Sequence, residues 1–325
     1  MIGRSAVMRQ LMTLIERTAS TKVPAIITGE TGTGKEETAR AIHDHSARTG
    51  SFVAVNCAAI TETLIESELF GHEKGSFTGA DRRREGHIER ANGGTLFLDE
   101  ITEMRRDAQA KLLRVIEQKK VLRVGGTEEI PIDVRFLAAS NRHPKQAIAE
   151  GCLREDLYYR LNGLLIELPP LRERLDDLPL LVDQFIRQAN HDHRRKIEGI
   201  DHECYQALKR YRWPGNIREL HNVVETAVLL APSHRISINE LPAEIRASTS
   251  RENSFTVYLG TPLYEIEREY VRRTIAFAYG NKSRASKMLR VPLRTLYNKL
   301  ERYMKEQTNG YLNGNGHHGP HNGLS

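Results

Sequence analysis

Eight consecutive residues carry the clearest chemistry in this sequence: Gly29-Glu30-Thr31-Gly32-Thr33-Gly34-Lys35-Glu36. They follow the apolar run Ala25-Ile26-Ile27-Thr28, which reads as a buried strand. They precede Glu37-Thr38-Ala39-Arg40-Ala41-Ile42-His43, which reads as a helix. Strand, glycine-rich loop and helix are the setting of a phosphate-binding loop. The glycines let backbone N–H groups turn inward around phosphate oxygens, Lys35 adds a point charge for the β- and γ-phosphates, and the helix N-terminus adds its partial positive charge. An accidental glycine-rich turn is the alternative, and the lysine, the spacing and the flanks together speak against it. Glu36 stands where Ser or Thr ordinarily ligates magnesium, so the metal of a Mg2+–ATP pair must be held by other groups.

Those groups follow at Gly93-Gly94-Thr95-Leu96-Phe97-Leu98-Asp99-Glu100, an apolar strand ending in two carboxylates. Asp99 is placed to hold the magnesium, and Glu100 to orient or deprotonate an attacking water. With Glu36 in place of the hydroxyl, Asp99 and the phosphates carry more of the coordination. The bland alternative is a strand followed by a helix cap.

A phosphate loop and a carboxylate pair need a parallel sheet to bring them together. Besides Ala25 to Thr28 and Thr95 to Leu98, strands are expected at Ser51 to Val55, Arg135 to Ala139 and Leu164 to Leu168, with helices between them, such as Arg106 to Gln118. Met8, Leu11, Met12 and Ile15 share one face of a first helix between Met1 and about Lys22. Alternating strands and helices argue for an α/β sandwich over residues 1–168. After Pro169-Pro170 only helical periodicity remains, so 169–240 should form a smaller helical subdomain. Residues 241–261 read as a polar linker, 262–305 as a compact helical unit, and 306–325 as a disordered, low-complexity tail whose His317-His318 pair reads as solvated, with metal binding the alternative.

Composition narrows the class. The 325 residues hold 48 Lys and Arg against 42 Asp and Glu, a net charge of +6, so where the charge lies matters more than its sum. Cys57, Cys152 and Cys204 are scattered without metal-ligand spacing, so neither a zinc site nor a disulfide framework is indicated, which fits a reducing cytoplasm. No apolar run approaches a membrane span, and no signal-peptide pattern opens the chain.

Two stretches look outward. In Gly75-Ser76-Phe77-Thr78-Gly79-Ala80 a large apolar side chain sits on a glycine-flanked tip, where a partner surface is its natural purpose; a buried turn anchored by Phe77 is the alternative. Near the C-terminus, Asn281 to Leu289 and Leu293 to Leu300 read as two short helices around a turn at Arg290-Val291-Pro292, as in a helix-turn-helix. Ala285 lets the helices approach, and Leu289, Val291, Leu296 and Leu300 form the interior. Lys282, Arg284, Lys287, Arg290, Arg294, Lys299 and Arg302 suit a phosphate backbone, while Arg294, Thr295, Tyr297 and Asn298 would face the major groove. A basic dimerisation helix is the competing reading.

Gly71-His72-Glu73-Lys74 followed by Gly75 to Ala80 resembles the signature loop of bacterial enhancer-binding proteins, the AAA+ activators of sigma-54 RNA polymerase. The resemblance spans residues 1 to about 305. It includes Glu66-Ser67-Glu68-Leu69-Phe70, Leu153-Arg154-Glu155-Asp156-Leu157-Tyr158-Tyr159-Arg160-Leu161 and Trp213-Pro214-Gly215-Asn216-Ile217-Arg218-Glu219-Leu220. Ser76 replaces the family's usual alanine, and Arg290 stands where the family often has glycine. Glu36 is common in the family.

By this resemblance the fold is an AAA+ P-loop NTPase with a helical lid and a Fis-type helix-turn-helix. Arg154 and Arg160 reach into a neighbouring subunit's nucleotide in a ring, expected to be a hexamer. Asn141 is the polar sensor of the γ-phosphate, Arg218 the second sensor in the lid, and Asn56 the switch partner of Glu100. Gly75 to Ala80 contact sigma-54 holoenzyme, and upstream activating DNA is the second partner. An AAA+ protein-remodelling chaperone and an ATP-switched repressor are the competing functions. The helix-turn-helix argues against the first, and the set Glu100, Arg154 and Arg160 against the second. The resemblance begins almost at Met1, leaving no room for a sensory domain, so either the chain is a fragment or control acts in trans.

Overall fold

The computed structural model describes residues 3–61, 64–77, 80–251, 257–278 and 280–312. Thr78, Gly79 and the His317-His318 pair lie outside them. The chain divides into two compact units, 1–242 and 243–325.

The first unit is built on five parallel strands: β1 (Ala25–Thr28), β2 (Phe52–Asn56), β3 (Thr95–Asp99), β4 (Arg135–Ser140) and β5 (Leu165–Glu167), in the order β2-β3-β4-β1-β5. Each strand is a short apolar run because a parallel sheet is covered on both faces. Alternation divides the faces. Ile26, Leu96, Leu98, Phe136 and Ala138 pack with helices Arg106–Gln118 and Glu155–Leu161. Ala25, Ile27, Phe97, Leu137 and Ala139 pack with helices Ala6–Ala19 and Lys35–Asp44.

The first helix is shorter than Met1 to Lys22. Ser5 caps its start by accepting from the Met8 amide at 3.3 Å. The guanidinium of Arg135, fully buried at the start of β4, donates to the Thr18 and Ala19 carbonyls at 2.7 and 3.3 Å. A cation at a helix C-terminus satisfies carbonyls that otherwise lack partners.

This strand order sets the carboxyl ends of β1, β4 and β3 side by side. The β1 loop, Asn141 and the Asp99–Glu100 pair therefore share one edge, where ligands of open α/β sheets bind.

The lid is carried by helices Leu178–His193, His202–Arg210 and Asn216–Leu230. Trp213, the only tryptophan of the chain, is fully buried there; its indole N–H donates to the Leu208 carbonyl at 2.9 Å and its ring meets Tyr211 edge-on.

In the second unit, helices Leu263–Phe277, Lys282–Leu289 and Leu293–Leu312 pack around Val271, Ala278, Ala285, Leu296 and Tyr303. Two expectations are corrected here. Helix Ala243–Arg251 occupies the first part of the expected linker, in a stretch free of interior proline and glycine. The last helix continues to Leu312, past the boundary expected at residue 306.

Candidate active site

The phosphate loop turns at Gly32, whose φ of +78° is left-handed and where a Cβ would lie 2.2 Å from the Gly215 carbonyl oxygen. Glycine therefore serves both the turn and the approach of the lid. Lys35 is buried at the start of helix Lys35–Asp44. Its ammonium donates to the Gly29 carbonyl at 3.1 Å and lies 3.5 Å from Glu100 Oε1.

Glu100 follows β3 with a left-handed backbone, φ 52°, a conformation that costs a non-glycine residue about 1–2 kcal/mol. Its other carboxylate oxygen accepts from the Asn141 backbone N–H at 3.1 Å. Burial pushes the Asp99 carboxyl up, and the Glu100 carboxylate pushes it further. Two carboxylates next to one lysine leave room for a cation that brings its own phosphate oxygens. The described residues hold no group of three ligating side chains that would bind a metal unaided.

These residues floor a cleft of ≈ 580 Å³ between the sheet edge and the lid. Thr31, Gly32, Thr33, Gly34, Lys35 and Glu36 line it with Asn56, Asp99, Glu100 and Arg218, and Met8, Leu181, Phe185 and Ile217 form an apolar end. Thr31 to Glu36, Asn56, the Asp99–Glu100 pair and Arg218 thus meet in one place. The Asn56 side-chain oxygen accepts from the Ala58 and Ala59 amides at 2.9 and 3.1 Å, capping its own turn, while Glu100 is engaged by Lys35 and Asn141. Asn141 meets Glu100 through its backbone N–H.

Arg154 and Arg160 line two other cavities on the surface of the same unit. Arg154 is held by Asp156 through paired bonds of 3.0 and 2.7 Å.

Sequence reasoning overlooked the residues that fasten the loop to the lid: Arg172, Arg174 and Asn216. Arg172 grips Glu30 with bonds of 2.8 and 2.6 Å. With Asn216 beside it, this holds the Glu30 carboxyl down at about 2. Arg174 is buried and donates to the Thr33 carbonyl at 2.9 Å. The only signals were an Arg-Glu-Arg after two prolines and an Asn after a Gly, both ordinary turn compositions.

The Phe77 loop rises from hairpin Gly71–His72 with Arg84–Glu85, beside a second hairpin, Lys120–Leu122 with Glu129–Pro131. Arg123, buried between them, binds both Glu73 at 2.9 Å and Glu89. Phe77 is 39% exposed and its ring meets His72 edge-on, centroids 5.1 Å apart. The Ser76 hydroxyl is buried against Gly125 without a hydrogen-bond partner among the described residues.

In the second unit Arg284, Arg294, Tyr297 and Asn298 are exposed and Thr295 is half-buried. Lys282 sits over the Tyr297 ring at 4.8 Å. Lys299, on the last helix, is half-buried and its ammonium is paired with Glu267 on helix Leu263–Phe277. Arg290 forms the turn with φ 54°, a left-handed position that suits glycine.

Comparison with known proteins follows the same division. Residues 1–167 match the family described as sigma-54 interaction domain, 172–256 the AAA+ ATPase lid domain, and 262–303 the bacterial regulatory protein, Fis family. The transcriptional regulatory protein ZraR of Salmonella typhimurium is 45% identical over 305 residues, covering 93% of this chain and 68% of that protein. The DNA-binding transcriptional regulator NtrC of Rhizobium meliloti is 50% identical over 250 residues, 75% of this chain and 51% of NtrC. Crystal structures of NtrX from Brucella abortus in complex with ATP and with ADP superpose with TM-scores of 0.71 and 0.72 at 36% identity, covering 93% of this chain and 69% of each.

Proposed function

Because the chain belongs to the sigma-54-interacting AAA+ transcriptional regulators, we propose that it couples ATP hydrolysis in a subunit ring to the opening of sigma-54 promoters. It is an ATP-hydrolysing activator with a Fis-type DNA-binding domain. The observation that carries the mechanism is the meeting of Lys35 and Glu100 at 3.5 Å on the floor of the cleft.

The loop amides and Lys35 hold the triphosphate, and the apolar end with Met8, Leu181 and Phe185 takes the base. Arrival of phosphates draws Lys35 from Glu100, freeing a carboxylate to orient and deprotonate water. Asp99 and the phosphate oxygens hold magnesium, which supplies neutralising charge on the transferring group. Arg154 and Arg160, which line surface cavities apart from the cleft, serve the neighbouring subunit's nucleotide, so turnover needs a ring, in our reading a hexamer. The Phe77 loop contacts sigma-54 and remodels the closed complex, while Arg284, Arg294, Thr295, Tyr297 and Asn298 hold upstream DNA. The cytoplasm is where such a machine meets polymerase. No described helix is long and apolar enough to cross a membrane.

The test is Phe77→Ala. It should leave ATPase activity and DNA binding intact while promoter opening, read by permanganate footprinting with sigma-54 polymerase, falls at least tenfold, since an exposed aromatic anchor carries about 2 kcal/mol or more. Opening at the parent level would remove the loop from the mechanism. Mixing Arg160→Ala with Glu100→Gln subunits should restore hydrolysis that neither variant has alone. With ring assembly confirmed by light scattering, no rescue would refute a shared site.

A further inference from the structure

The outside of the phosphate loop is as fully bonded as its inside is open. Three successive carbonyls accept from the root of the lid. Thr31 O accepts from Asn216 Nδ2 at 3.1 Å, Gly32 O from the Ile217 and Arg218 amides at 2.9 and 3.3 Å, and Thr33 O from Arg174 at 2.9 Å. In a planar trans peptide the C=O and the next N–H point opposite ways. Holding these carbonyls toward the lid therefore turns the amides of Gly32, Thr33 and Gly34 into the concavity of the turn. The Thr33 amide rests there on the Glu30 carbonyl at 3.3 Å.

The same bonds serve the lid. The first amides of a helix have no partner within it. For helix Asn216–Leu230 the Gly32 carbonyl supplies one for both Ile217 and Arg218. One peptide group thus faces phosphates on one side and caps the lid helix on the other. Asn216 holds the arrangement together. It is fully buried at φ 53°, its side-chain oxygen accepts from the Leu171 amide at 2.8 Å, and its side-chain nitrogen also donates to Glu30 at 3.1 Å.

We propose that Asn216 is a positioning residue for the nucleotide, and that this joint transmits phosphate occupancy to the first turn of the lid helix and lid position to the phosphate nest. The proposal rests on reading the cleft as a nucleotide site and adds how the site is held in order and what senses its filling. Coupling of this kind is reciprocal: what phosphate does to the lid, the lid does to phosphate affinity.

The experiment combines equilibrium binding of a fluorescent ATP analogue with hydrogen exchange at the Ile217 and Arg218 amides, with and without ATP. Asn216→Gly removes the side-chain bonds while keeping a residue at ease with the left-handed backbone. The parent should bind ATP, and ATP should slow exchange at both amides by about tenfold. Asn216→Gly should weaken binding about tenfold, the weight of one or two hydrogen bonds, and abolish the slowing. Arg172→Gln should weaken binding about threefold, and Arg172→Lys should restore it to within about twofold, because the charge on Glu30 is kept. If Asn216→Gly fails to fold, the Arg172 pair decides the matter: parent-like affinity and slowing in Arg172→Gln would overturn the proposal. Loss of thermal stability in Asn216→Gly with the parent's affinity and ATP-dependent slowing would also overturn it, leaving a structural role only. A parent that binds no ATP would sink the nucleotide reading itself, and the proposal with it.

Discussion

Two glycine loops leave the sheet domain, and they are held in opposite ways. The phosphate loop is bonded from outside at three carbonyls, and Lys35 is buried within it. The Phe77 loop is closed by its own backbone, Gly75 N–H to Ala80 carbonyl at 2.8 Å and Ala80 N–H to Phe77 carbonyl at 3.0 Å, with its aromatic tip resting on His72. A receptor for a small anion must have its donors in place before the ligand arrives. A loop proposed to engage another protein needs a secured base and an exposed aromatic ring, and Phe77 is 39% exposed. Arg123, fixed to Glu73 and Glu89, secures the base. Glycine content alone does not distinguish the two; the partners outside each loop do.

The largest expected effects break the phosphate loop's chemistry and spare the other loop. Lys35→Ala should reduce nucleotide affinity by roughly a hundredfold or more, on the scale of losing a buried charge-assisted contact. Glu100→Gln should keep affinity near the parent's and lower phosphate release by at least about a hundredfold, because an amide cannot serve as a base. A Glu100→Gln variant that turns over at the parent rate would refute the assignment.

Next come the glycines themselves. Gly32→Ala drives a methyl to 2.2 Å from the Gly215 carbonyl and should weaken ATP binding at least tenfold, since 1.4 kcal/mol suffices for that factor. At Gly75, φ +80° with no atom of the described residues within 4 Å, alanine meets only the backbone penalty, about 1 kcal/mol of stability, and ATP affinity should not move. Equal effects of the two substitutions on affinity would erase the contrast. The smallest effect is Ser76→Ala. It removes a buried hydroxyl that lacks a described partner and should raise thermal stability by up to about 1 kcal/mol, with promoter opening unchanged or improved.

The sheet was legible because each strand is a short apolar run, and the candidate site because a glycine loop and a carboxylate pair stand at the ends of two of them. β1 and β3 end in the phosphate loop and the carboxylate pair, so local pattern located the site. The lid joint was not legible. Glu30 lies 142 positions from Arg172 and 186 from Asn216, and only the folded chain brings them together. The hairpins carrying the Phe77 loop were missed because strands of two or three residues have no usable periodicity. The pairing of Lys299 with Glu267, 32 positions away, was hidden for a related reason: nothing local in the sequence announces it. Arg290 could be suspected from sequence, since a position often filled by glycine in the family implies the left-handed turn found there.

Trp213 has an optical consequence. As the only indole in the chain, buried in the lid two residues before the Gly215 carbonyl that abuts Gly32, it makes all tryptophan emission a report from one place. Excited selectively, the protein emits from the lid alone. Loosening of the lid should appear as a red shift as the ring meets water, without any label and with the second unit dark throughout.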